Sequence, residues 1–156
     1  YLSSGLEMTF LFNICVVYFL AERYPEAQKY INVVLNRPNL PIREDISDAL
    51  KILEMVSRYA RGHIDLLEHL HKAHERKMKR LSATQVFGSL SLQFIAQLLH
   101  AADAAETKAI IFTMHEQLES LPPDARPAGF EELQLWVRSR HEGRPIVEIL
   151  QSDTIE

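Results

Sequence analysis

Residues 10–21 read FLFNICVVYFLA, a run of twelve with a single polar side chain, Asn13. Such a run has three readings: the start of a membrane span, a buried strand, or a helix packed on several sides. A bilayer span needs about 20 apolar residues, and Glu22-Arg23 ends this run well short of that. An apolar run of this length is more often a buried core helix. The reading is therefore a helix over about 3–21, with no membrane insertion.

The segments that follow have the same character. Pro25 stands where a first helical turn tolerates it, with Glu26 at the positive end of the helix dipole, so a second helix runs to about Leu35. RPNLP (37–41) breaks it. A third helix begins near Pro41, carries Leu50, Leu53, Val56 and Tyr59 at helical spacing, and stops at Gly62. A fourth starts around Ile64 and ends in the basic KMKR. Ser82 with Gln85, and Asp103 with Glu106, are capping-box patterns that open a fifth and a sixth helix. PPDARP (122–127) is the longest breaker. The seventh helix holds Phe130, Leu133, Trp136 and Val137 on one face and stops at Gly143, with IVEIL (146–150) as a short final turn. No stretch alternates with period two long enough for a sheet. The fold class is all-α, with about seven helices in antiparallel pairs.

The bulk numbers narrow the function. The 156 residues suffice for one domain with a sizeable core, so residues 1–156 are read as a single helical unit. A formal net charge of −4 gives no global argument for nucleic acid. The single cysteine, Cys15, allows no intrachain disulfide, which favours a reducing, cytoplasmic compartment. The chain starts with Tyr1 and has no basic leader or cleavage site, so it is expected to be a piece of a longer protein.

Helix pairs of this size prompt a search for self-similarity near 34 residues. Residues 11–39, LFNICVVYFLAERYPEAQKYINVVLNRPN, carry it. Leu11, Ile14 and Tyr18 take large apolar positions, Asn13 a polar one, Tyr24 and Ala27 the turn aromatic and the small second-helix residue, with Pro38 near the close. This resembles the tetratricopeptide repeat. Cys15 stands where that repeat has glycine or alanine, and Glu22 where it has a turn glycine. A second, looser copy lies in KILEMVSRYARGHIDLLEHL (51–70). NRPNLPIREDISDALKIL, RYARGHIDLLEHL and the tail FEELQLWVRSRHEGRPIVEIL are similar to a family of uncharacterised bacterial tetratricopeptide-like proteins. The resemblance implies the C-terminal part of a longer chain, in which helix pairs stack into a right-handed superhelix that displays a concave surface to a protein partner. It implies no activity.

By that resemblance the partner-facing residues of the first pair are Thr9, Phe12, Asn13, Val16 and Phe19, and of the second Ile52, Val56 and Tyr59. Exposed, they would form a groove for an extended or helical segment, with Asn13 able to bond its backbone. The same positions could instead be core. A homodimer through an exposed apolar face of helix 1 is the alternative within this class.

Other constellations are weaker. His63, His69, His71 and His74 share one helix, and His71 with His74 and Glu68 makes half of a di-iron pattern without its second half. Zinc would need three or four converging ligands, so these are read as surface and boundary histidines, with no metal or cofactor. KAHERKMKR (72–80) brings together Lys72, Arg76, Lys77, Lys79 and Arg80, which could grip phosphates or an acidic ligand. The reading preferred for it is a solvated helix end that complements the dipole, and no aromatic interleaves it for base stacking. There is no nucleophile motif, P-loop or dinucleotide fingerprint. Ser89 and Ser91 near Gly88 suit close helix packing, and Trp136 suits the core. The expectation is a non-enzymatic protein-interaction module, with contact to nucleic acid or an acidic ligand through 72–80 as the alternative.

Overall fold

The computed structural model describes residues 3–78 and 86–155, and every regular element among them is helical. They are α1 (Ser4–Leu20), α2 (Tyr24–Leu35), α3 (Glu44–Ala60), α4 (Ile64–Met78), α5 (Val86–His100), α6 (Ala104–Ser120), α7 (Phe130–Glu142) and α8 (Ile146–Ile155), with a 3-10 turn at Pro123–Ala125. The expected short final turn is instead a ten-residue helix, which raises the count to eight α-helices among the described residues. Ile146 and Ile149 seat it on the core, and Ser152 and Thr154 bond back to carbonyls one turn earlier.

Local chemistry sets the boundaries. Ser3 caps α1 through its Oγ, which accepts from Leu6 N at 3.3 Å. Asp103 caps α6 by accepting from Glu106 N at 2.8 Å, and Glu106 reaches back to Ala102 N at 2.8 Å. These satisfy donors that a helix start leaves orphaned. The Ser82–Gln85 cap lies outside the described residues. α3 starts at Glu44 rather than near Pro41, because Asn39 turns the chain with φ +63 and Arg43 stays extended as the cap residue.

The first three pairs keep step. Leu20, Ala60 and His100 end first helices, and Tyr24, Ile64 and Ala104 begin second helices, a step of 40 residues each time. This is longer than the expected spacing near 34, and the loop between Leu35 and Glu44 contributes to the difference. The first two turns are built alike. Glu22 N and Arg23 N bond Phe19 O and Tyr18 O, while Gly62 N and His63 N bond Tyr59 O and Arg58 O. Both are Schellman closures with a left-handed residue after the helix, Glu22 at φ +57 and Gly62 at φ +75.

α3 is the central helix and packs against α1, α2, α4, α5 and α7. α7 crosses the most sequence distance. It packs on α1 and α3, and its side chains reach α5. Phe130 meets Phe87 at the start, and Trp136 meets Phe94 and Tyr59 edge-on at 6.3 and 6.2 Å further along. Before it, Gly129 sits so close to α3 that an added Cβ would stand 3.0 Å from the Ala49 Cβ. α7 therefore runs in the same sense as α3 and α5, along the faces that the first helices of the pairs turn inward.

Candidate interaction surface

α1 has two apolar faces, which explains its opening run. Met8, Cys15 and Phe19 point into the core. On the opposite side Leu6, Phe10 and Val17 are 59%, 59% and 64% exposed. At 100° per residue these three and Asn13 fall within about 60° of arc, a single outward stripe. Glu7 is the only charged residue between positions 3 and 21, and it pairs sideways with Arg37 of the loop after α2.

The expected partner-facing residues divide. Asn13 and Thr9 are exposed, although the Thr9 hydroxyl donates to Gly5 O at 3.0 Å on its own helix. Phe12, Val16 and Tyr59 are half-buried, whereas Phe19, Ile52 and Val56 are fully buried. Among the described residues those last three positions are core and offer no open groove, and α7 packs on the two helices that carry them. Phe12 looks onto a shallow hollow beside Gly129 and Phe130, where α7 begins. The residues that sequence reasoning missed are Leu6, Phe10 and Val17. Their 4-3-4 spacing with Asn13 was the available signal.

The histidines hold structural posts. One step of 40 residues carries Ile31 and Val34 of α2 onto His71 and His74 of α4, and another onto Ile111 and Met114 of α6. All six are buried. His71 and His74 are thus core residues, not the surface and boundary positions expected. The His71 ring bonds Leu92 O at 2.8 Å. His74 Nε2 lies 3.8 Å from the buried carboxylate of Glu54, which also faces Arg58 at 3.7 Å. Among the described residues no group of three His, Cys, Asp or Glu side chains is placed to hold a metal ion.

The basic segment is diluted by acids. Lys72 lies 3.4 Å from Glu68, and Glu75 is 4.0 Å from the His71 ring. Arg76 and Lys77 are exposed, and Lys79 and Arg80 lie outside the described residues. Nucleophile candidates are occupied or sealed. Ser91 is buried with its hydroxyl donating to Phe87 O at 2.7 Å. Burial pushes the Cys15 thiol up to about 12, against a partial opposing contribution from a backbone hydrogen bond.

Glu22, a departure from the repeat pattern, has a position of consequence. Its Oε1 accepts from Arg140 Nη2 at 3.0 Å and from the Tyr24 hydroxyl at 3.2 Å, and its Oε2 accepts from Ile146 N at 3.2 Å. The carboxylate thus meets the first N–H of α8 and the end of α7. Trp136 Nε1 donates to the same Tyr24 hydroxyl oxygen at 3.1 Å.

No family model matches the chain, and no curated protein or solved structure matches it. The described residues define an all-α fold of eight α-helices. None of its described helices is long and apolar enough to cross a membrane.

Proposed function

We propose that this chain is a non-enzymatic protein-interaction module, a tetratricopeptide-like array that docks an apolar, helical partner segment on the outer stripe of α1. The carrying observation is the charge-free line of Leu6, Phe10, Asn13 and Val17, apolar on a face that the chain itself leaves open. Contiguous exposed apolar surface of this kind marks interaction sites. Apolar anchors spaced at i, i+4, i+7 and i+11 suit a second helix laid alongside. A lone Asn within such a seam fixes register, since its amide needs a partner across the contact. The regular step of the first three pairs and the paired Schellman turns support the repeat reading, and the small Ala27 lets α2 close on α1. The protein is proposed to act in the cytoplasm.

The test is a capture experiment with the chain and its Phe10→Asp variant, both confirmed helical by circular dichroism. A protein retained by the parent and lost by the variant, whose synthetic segment then binds the parent at high salt, is the expected result. Identical captures by both baits would remove the α1 stripe from consideration. Sedimentation of the purified chain runs in parallel, and a dimer dispersed by Phe10→Asp would make the partner a second copy. Nucleic acid retained by both and released by salt would move the function to residues 72–80.

A further inference from the structure

A cavity of about 530 Å³ opens between the end of α3, the start of α6 and α7, within the size range of small-molecule sites. Its walls are aromatic: Tyr59, Phe112, Trp136 and the His141 ring. Phe112 is half exposed at the mouth and lies 5.7 Å from the His141 ring. Two cations reach the same space, Lys108 from α6 and Arg140 from α7, and no carboxylate lines it. Arg140 is held with its guanidinium 5.0 Å from the centre of the Trp136 ring. It commits Nη2 to Glu22 and Tyr24, which leaves Nη1 and Nε for another acceptor. Lys108 makes no ion pair among the described residues.

The geometry points to a binding site for a small aromatic carboxylate. The flat apolar body would enter between Phe112, Tyr59 and Trp136, where offset and edge-on ring contacts are favourable. The carboxylate would stay at the mouth between Lys108 and Arg140. An Arg–carboxylate contact is directional and charge-assisted, so it fixes the orientation of the ligand as well as holding it. The site is separate from the α1 stripe, and it stands or falls independently of partner docking there.

Trp136 is the only tryptophan in the chain, so its emission reports on the cavity directly. The probes are phenylpropionate and its neutral counterpart phenylpropanol, titrated against the whole chain. The acid is expected to shift Trp136 emission saturably and to bind about ten-fold more tightly than the alcohol, the order of one charge-assisted hydrogen bond. Lys108→Gln should reduce that preference while retaining the weak binding common to both probes. Phe112→Ser should abolish both. Each substitution is at an exposed position, and circular dichroism verifies the fold. Equal affinity for acid and alcohol would overturn the carboxylate assignment, as would an unaltered preference in Lys108→Gln. No saturable response to either probe, or unchanged binding in Phe112→Ser, would overturn the site altogether.

Discussion

Single residues explain several places where the sequence pattern and the chemistry pull apart. Glu22 has the left-handed conformation that favours glycine, at a cost of about 1–2 kcal/mol for an L side chain. Its carboxylate offsets that cost by meeting Arg140, Tyr24 and the first N–H of α8. Glu22→Gly would remove the strain and the contacts together. The expected balance is a loss of about 1 kcal/mol in urea denaturation; a gain would mean that the turn, not the carboxylate, governs this site. Cys15 illustrates the opposite case, a reactive group silenced by burial. It should resist a thiol reagent at mildly alkaline pH until denaturant is added. Because its folded pKa is raised, the folded state favours the thiol, and the unfolded thiol ionises first. Its contribution to stability is intact below pH 9.0 and declines as pH rises towards about 12. The burial of Cys15 was legible from its setting in an apolar run. The duty of Glu22 was not, since two of its three partners, Arg140 and Ile146, lie more than a hundred residues away.

At the scale of elements, start and stop signals were the most readable part of the sequence. Asp103, Gly62 and Gly143 do what their residue types dictate, and Ser3 caps α1 in the same way as Asp103 caps α6. IVEIL alone predicts only a short final turn, because the QSDTI that continues α8 adds no buried apolar residue: Gln151, Asp153, Thr154 and Ile155 are exposed. Gly129 is of another kind. It has φ +91 before α7 and also touches Ala49 of α3, so it joins a conformational demand to a steric one. Gly129→Ala should cost about 3 kcal/mol or more, from left-handed strain plus a clash that α7 can relieve only by lifting off α3. Gly62→Ala has the same strain with open space around its Cβ, and about 1 kcal/mol is expected. Chemical denaturation of the two variants separates the terms. Equal losses would show that the approach to Ala49 is not tight.

At the scale of the whole molecule α7 ties the end of the chain back onto α1 and α3, and here the sequence was least informative. It placed Trp136 in the core, but periodicity carries no record of which distant helices a core residue joins. Trp136 meets Tyr59 of α3 and Phe94 of α5 by ring contacts and the hydroxyl of Tyr24 at the start of α2 through its indole N–H. α7 thereby occupies the side of α1 and α3 on which a partner groove was expected, and Phe19, Ile52 and Val56 become interior. An open array stabilised mainly by neighbouring pairs would unfold piecewise when one distant helix is weakened. A chain closed by packing of α7 on α1 and α3 should lose all of its helices together. Trp136→Ala distinguishes the two. The buried ring leaves a cavity worth about 3–5 kcal/mol, and the far-UV signal of the whole chain should drop in one transition at lower denaturant. Trp136→Phe, which keeps most of the ring volume and loses the bond to Tyr24, should cost less than half as much, because Arg140 still serves that hydroxyl. A two-step transition in Trp136→Ala, with α1 to α4 unfolding later, would show that the first two pairs fold as a unit and that α7 is an appendage to them.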